Sequence, residues 1–581
     1  MISKTPVGST KLHHNSNICS EVEVEVHIEN ESSHALRPTV FRPLTARRSE
    51  AQELLGHHTT HSQISMELPP WAPFLAVVLA TILFLKAVFR RKGTCNLPPG
   101  PKPWPIIGNL NLIGALPHRS IHALSKQYGP LMQLRFGSFP VVVGSSAEMA
   151  KLFLKTHDVV FTDRPRTAAG KYTGYDNSTI TWSPYNAHWR QARRVCLAEL
   201  FSARRLESYA YIRREETRAL LCGLHEASGR LVLLKDHLST LSLNVISRMV
   251  LGRKYLEKQA AGEDGSATMA PEEFKCMIDE LFFLNGVLNI GDSIPWLDWM
   301  DLQGYVRRMK KLSKKFDRFL EHVLDDHNER RRLQGENFVS RDMVDVLLEI
   351  AGDPNLEVKL HRNGVKAFIQ DLIAGGTETT AITVEWAMSQ MLKKPEVFSK
   401  ATEELDRVVG RERWVTEDDI PSLPYVEAIV KETMRLHPVA PMLAPRLSRE
   451  DASVGGYNIP VGTRVLINVW SIGRDPAVWD SPEEFVPERF VGSKIDIKGH
   501  DFELLPFGSG RRMCPGYSLG LKVIHVSLAN LLHGFVCKLP DGVTTDQLSM
   551  EEIFGLSTPR KFPLQVVMKP KLQGHLYARG H

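Results

Sequence analysis

Phe507-Gly-Ser-Gly-Arg-Arg-Met-Cys514-Pro-Gly516 is the stretch on which the reading of this chain turns. Gly508 and Gly510 permit a tight loop with positive φ and close backbone approach. Arg512 stands two residues before Cys514, and the apolar run 519–532 predicts a helix directly after the loop. A cysteine at a helix N-terminus beside arginines is favoured as thiolate, the form that binds metal. Taken alone, a cysteine is more often a small buried hydrophobe. The Gly-x-Gly pair is not a dinucleotide loop, because position 513 is Met rather than Gly and Leu504-Leu505-Pro506 makes a poor strand.

Working upstream, Ala374-Gly-Gly-Thr-Glu-Thr-Thr380 lies inside an apolar pattern covering 365–391. Two adjacent glycines within a helix are unfavourable by about 1 kcal/mol each relative to alanine. Either Gly375-Gly376 ends a helix, or the helix carries them to leave backbone room for a small ligand. In Glu432-Thr-Met-Arg435 the charged residues share a helix face, as a surface pair of small worth or as a buried one. Trp189-Arg-Gln-Ala-Arg193 has the spacing at which an indole and a guanidinium stack along a helix.

These segments together resemble the cytochrome P-450 superfamily. The stretch 507–516 is similar to its haem-thiolate signature F-x-x-G-x-R-x-C-x-G, and Pro487-Glu-Arg-Phe490 to its P-E-R-F element. Residues 66 to about 570 resemble the plant microsomal members of the A-type layout, whereas the first 65 do not. The resemblance implies a mainly α fold, a large helical haem-binding domain with small β-sheets and a single N-terminal transmembrane helix. It implies haem b (iron-protoporphyrin IX), with Cys514 as the axial ligand of the iron and a thiolate that favours O–O cleavage. Phe507 and Trp189 would flank the cofactor, Arg512, Arg193 and Arg446 would anchor its propionates, and Gly375 would open the oxygen groove. A guanidinium suits a carboxylate through its planar fork. Glu378 and Thr379 would form an acid–alcohol pair that delivers protons in a nearly dry site. Glu432, Arg435 and Arg489 would be structural, a buried cluster beneath the haem.

The activity so implied is that of an NADPH- and O2-dependent monooxygenase acting on a small hydrophobic secondary metabolite, a terpenoid or a flavonoid/phenylpropanoid. No flavin domain is fused to the chain. Electrons would therefore come from a partner, NADPH–cytochrome P-450 reductase on the same membrane, with Arg511 as a docking contact. The pocket walls would include 165–185, 280–296, the helix before Gly375, 439–443 and 554–558, with Phe282, Phe283, Phe368, Leu443 and Phe554 as large apolar members. Two alternatives are a haem-thiolate isomerase or lyase that needs no reductase, and a non-catalytic haem-binding sensor. Members of the first kind usually lose the threonine or carry an insertion before the cysteine, and a sensor has no use for an acid–alcohol pair.

The rest of the 581 residues sets the frame. Hydrophobic residues make up 43% and charged residues 24%, which excludes collagen-like and wholly disordered classes. A net charge of +6 is too mild to argue for nucleic acid, and seven scattered cysteines make no disulfide framework. Residues 1–65 hold one aromatic, Phe41, and seven of the 22 histidines, so they read as a disordered extension that function does not require. From Met66 to Lys92 the chain reads as a membrane anchor. Trp71 to Phe89 is a nearly unbroken apolar run, and Arg90, Arg91 and Lys92 after it place the following chain in the cytoplasm, here at the endoplasmic reticulum. Residues 93–105 read as a stiff Pro-rich hinge, 106–570 as the catalytic domain and 571–581 as a tail. Strands are expected at 131–136, 141–143 and 464–469.

Overall fold

A computed structural model describes residues 71–88, 96–254 and 270–578. The chain divides into two compact units, Met1–Thr94 and Cys95–His581. In the first, the apolar run forms helix α1, Ala72–Val88, of 17 residues, about 26 Å long at 1.5 Å per residue. Among the described residues no helix is long and apolar enough to cross a membrane. The expected extension 1–65 and the basic residues Arg90 to Lys92 lie outside the described residues.

The second unit is mainly helical with small sheets. The helices that position the site are α2 (Ala187–Val195), α3 (Leu234–Leu251), α4 (Pro271–Gly286), α5 (Arg362–Lys393), α6 (Pro424–Leu436) and α7 (Tyr517–Gly534). At 32 residues, α5 runs unbroken through Gly375-Gly376, so the glycines do not end a helix. Their reason is steric. A Cβ on Gly376 would stand 2.7 Å from Ile246 of α3, whereas one on Gly375 would meet nothing within 4 Å. One glycine thus lets two helices close together, and the other leaves open space. Asn186 caps α2 by accepting from the Trp189 N–H at 2.8 Å, and proline stands in the first turn of α6.

One sheet contains β1 (Leu131–Phe136), β2 (Phe139–Gly144), β3 (Arg446–Leu447) and β4 (Arg464–Ile467), in the order β1-β2-β4-β3. The β1–β2 pair is an antiparallel hairpin, and β2 runs parallel to β4 with Val141 opposite Arg464. The third expected strand stops at Ile467 rather than 469. There Asn468 accepts from the Ser471 N–H at 3.2 Å and starts a helical turn. A second sheet joins Leu231–Leu233, Gln565–Pro570 and Phe535–Lys538.

Both expected domain limits move outward. Residues 96–105 are not a free spacer: the Gln133 N–H donates to Pro99 O at 2.8 Å, and Gly100 lies so close that a Cβ would overlap Gln133 O. At the other end Tyr577 is buried, and its hydroxyl donates to Gly534 O. The chain to 578 therefore belongs to the domain core rather than to a tail.

Candidate active site

The loop 507–516 is held from both sides. The Cys514 N–H donates to Phe507 O at 2.9 Å, closing a turn whose Gly508 and Gly510 both have φ of +69°. At Gly510 a side chain is excluded twice, because a Cβ would also stand 2.3 Å from Leu154 O. The Cys514 thiol faces a cavity and lies just before the first turn of α7. Burial pushes the thiol up, while the Gly516 N–H and the nearby Arg193 charge pull it down. A bound cation would add to the pull toward the thiolate.

The Arg512 guanidinium donates to three carbonyl oxygens, Thr162 O at 2.8 Å, Ile180 O at 3.2 Å and Ser183 O at 2.6 Å. It also lies over the Trp189 ring, 4.2 Å from its centre. Burial, with Arg446 nearby, lowers Arg512 to about 9. Trp189, Arg193, Phe507, Gly375 and Thr379 share the Cys514 cavity.

Two expectations change. Arg446 is not among the residues lining this cavity; its buried guanidinium pairs with Asp158 Oδ1 at 2.9 Å and donates to Ser509 O at 2.9 Å. Asp158 Oδ2 in turn takes Arg511 at 2.8 Å, leaving that side chain 44% exposed. The cavity instead presents Arg164, which the sequence reading missed. It is buried and donates to Thr181 O, Ala444 O and Pro445 O. Its only sequence hint was an arginine before a proline.

The expected acid–alcohol pair is also not in contact. Thr379 Oγ1 donates to Gly375 O at 3.0 Å, one turn earlier. Glu378 instead accepts from Lys235 Nζ at 3.4 Å and from Ser557 Oγ at 2.9 Å. Adjacent helical residues do not face one another. A second residue that the sequence reading missed is the acid Asp371, two turns before Thr379 on α5 and lining the same cavity. It accepts from the Thr181 N–H at 3.1 Å, and burial pushes it up to about 7.

Glu432, Arg435 and Arg489 do come together. Arg435 pairs with Glu432 through Nε at 2.6 Å and Nη2 at 2.8 Å, and Arg489 Nε reaches the same carboxylate at 3.1 Å. Arg435 also donates to Gly473 O, Pro482 O and Glu484 O, so this buried cluster is fully bonded.

A second cavity of about 400 Å³ adjoins the first, and Thr181, Asp371, Gly375 and Thr379 line both. Its walls include Phe282, Leu443 and Phe554, as expected. Phe368 lies in the Cys514 cavity, and Phe283 is outside both, 45% exposed under Arg308. The donor set fits a haem. A thiol is available as a ligand to iron, with Gly375 and Thr379 on the same cavity. Arg164, Arg193 and Arg512 line it with no ion pair to an acidic side chain among the described residues, which suits a group bringing two carboxylates of its own.

Known proteins agree with this geometry. The cytochrome P450 family model matches residues 98–565. A trimethyltridecatetraene synthase of Zea mays is 49% identical over 528 residues, covering 87% of this chain and 94% of that protein. A flavonoid 3'-monooxygenase of Petunia hybrida is 40% identical over 518 residues, covering 87% and 99%. The solved structure of a zebra fish cytochrome P450 with abiraterone superposes with a TM-score of 0.66 at 26% identity, covering 79% of this chain and all of that one. With its cysteine loop, its cavity-lining arginines and its long glycine-bearing helix, the chain belongs to the cytochrome P450 family and is a haem-thiolate oxidoreductase of the monooxygenase kind.

Proposed function

We propose that this protein is a membrane-held monooxygenase that takes electrons from a separate NADPH-dependent flavoprotein reductase and oxidises an apolar plant-type secondary metabolite, an acyclic terpenoid or a flavonoid. One observation carries the reading: the Cys514 cavity shares Gly375 and Thr379 as wall residues with an adjoining cavity of largely apolar walls. Relatives 49% identical are named for trimethyltridecatetraene and dimethylnonatriene, branched polyene hydrocarbons, and one 40% identical for a flavonoid. Contact with a membrane is supported by exposed apolar side chains of α1 such as Phe74, Leu79 and Leu83 and by Trp296 and Trp299, which are 60% and 81% exposed.

Bound haem supplies the redox-active iron at which O2 is reduced and one of its atoms is transferred. The chain does the rest. Cys514 would give the iron an anionic sulfur ligand, and Arg164, Arg193 and Arg512 would hold the carboxylates, Arg164 and Arg512 with guanidinium groups already anchored on carbonyl oxygens. Phe282, Leu443 and Phe554 orient an apolar substrate and exclude water. Thr379 presents a hydroxyl whose proton is given to Gly375 O, leaving the oxygen lone pairs free to accept in the cavity.

Two measurements test this. Cys514→Ala should abolish the red-shifted Soret band of the reduced carbon monoxide complex, and retention of that band would defeat the ligand assignment. Purified protein with an NADPH-dependent flavoprotein reductase should consume NADPH and O2 together when farnesol or naringenin is offered. Product formed without NADPH would instead mark an isomerase or lyase.

A further inference from the structure

Glu378 and Thr379 are neighbours in sequence, yet they open on different cavities. At 3.6 residues per turn, successive side chains leave a helix about 100° apart. Thr379 lies on the apolar cavity, whereas Glu378 lies in a separate recess of about 380 Å³ whose charged members include Lys235, Lys275 and Asp279. That recess reaches solvent, since the Lys275 side chain is 46% exposed. Lys235 Nζ, 3.4 Å from Glu378 Oε1, keeps the carboxylate there. Among the described residues no hydrogen bond joins Glu378 to Thr379.

Ser557 stands where the two spaces meet. Its hydroxyl donates to Glu378 Oε2 at 2.9 Å, and the residue is only 4% exposed. It lines both the recess and the apolar cavity that holds Gly375 and Thr379. The geometry points to Ser557 as the hydroxyl through which a proton passes from Glu378 into the dry cavity, a role that rests on the monooxygenase reading. A hydroxyl donates and accepts at once, so it can relay without holding charge. In the resting arrangement Ser557 donates to the carboxylate. When Glu378 Oε2 takes a proton from solvent in the recess, the bond reverses and the carboxyl donates to Ser557 Oγ. As Oγ accepts that proton, its own O–H bond breaks toward the reduced oxygen species that the monooxygenase reaction supplies in the cavity. One proton enters from solvent, one leaves into the cavity, and no electron moves. Lys235 is then a positioning residue for Glu378. A competing role makes Ser557 a pin holding the 553–559 loop against α5.

The experiment uses the full haem-loaded chain with a flavoprotein reductase, and farnesol or naringenin, whichever gives product, as the probe. Ser557→Ala should keep haem content and the substrate-induced Soret shift. Product per NADPH should fall about tenfold, less than the roughly 10²–10⁴-fold of a general acid–base group because water can partly replace the hydroxyl. The solvent deuterium isotope effect on product formation should rise, and Ser557→Thr should restore both. Unchanged coupling and isotope effect in Ser557→Ala, with uncoupling in Thr379→Ala, would overturn the relay and leave the monooxygenase reading intact. Loss of the Soret shift in Ser557→Ala, unrepaired by threonine, would show a loop pin and overturn it too. Wild-type protein that consumes no NADPH with substrate would overturn the monooxygenase reading and the relay with it.

Discussion

Trp189 Nε1 and Arg512 Nη1 donate to one and the same acceptor, Ile180 O, at 3.0 and 3.2 Å. The indole and the guanidinium stack as they do so, 4.2 Å from ring centre to Cζ. A side chain on the cysteine loop is thereby locked to one on α2 through a single carbonyl.

This lock makes Arg512→Lys a non-conservative change. Lysine keeps the charge but loses the planar stack and the three-way carbonyl contact. We expect a loss of about 2 kcal/mol in haem retention, from charge-assisted bonds of ~1.5–3 kcal/mol each, partly compensated by water. Transfer of haem to an excess of an apo-acceptor protein, timed by the Soret band, measures it. Retention equal to wild type would show that the carbonyl-anchored fork is irrelevant to the cofactor.

The two glycines of α5 should respond in opposite ways. Gly376→Ala drives a methyl into Ile246 and should destabilise the fold by about 1–3 kcal/mol. Gly375→Ala enters open space and should stabilise the helix by up to about 1 kcal/mol, while its methyl fills room shared by both cavities. Urea unfolding should separate the pair in stability, and carbon monoxide affinity should fall for Gly375→Ala.

Glu432→Gln removes the only carboxylate that both Arg435 and Arg489 reach among the described residues, leaving two guanidinium groups on one neutral amide. Breaking a buried pair from one side is unfavourable by about 3–5 kcal/mol. The yield of haem-loaded protein and its midpoint in urea should both drop sharply, with no change in the spectrum of the fraction that folds.

Asp371 sets a pH dependence. Burial raises it to about 7 from 3.8, so the folded protein keeps this proton where the unfolded chain has lost it. Its contribution to stability is full below about pH 4 and is lost as pH rises toward 7, by an upper limit of about 4 kcal/mol. Asp371→Asn, which cannot ionise, should flatten that decline between pH 4 and 7. The pH profile of the urea midpoint checks it, and parallel profiles for the two proteins would sink the assignment.

Much of the site was legible because it is written in local chemistry. Gly508 and Gly510 announce a loop whose positive φ values favour glycine, and the cysteine they frame does line a cavity. Apolar periodicity gave α5 and α7 nearly whole, since burying an apolar stripe is a local pattern. Glu432 and Arg435, three apart, were bound to share a face.

What the chain order could not say was which partner each polar group finds across space. Trp189 was paired with Arg193 by helical spacing, but tertiary packing sets Arg512 on its ring. Arg446 had a carboxylate within reach in Asp158, and a buried guanidinium takes the acid that neutralises it. Arg164 reached the cavity only because the fold left it there with carbonyls and no acid. Glu378 and Thr379 were adjacent letters, and the helix turned them to separate walls, where Lys235 and Ser557 were waiting for one of them. Sequence alone determined the loop, the long helices and the family they spell, because backbone freedom and apolar period act over a few residues. The pairing of charges and the direction each hydroxyl faces were decided by the tertiary structure, because desolvation makes every buried polar group depend on whichever partner packing brings within 3 Å or so.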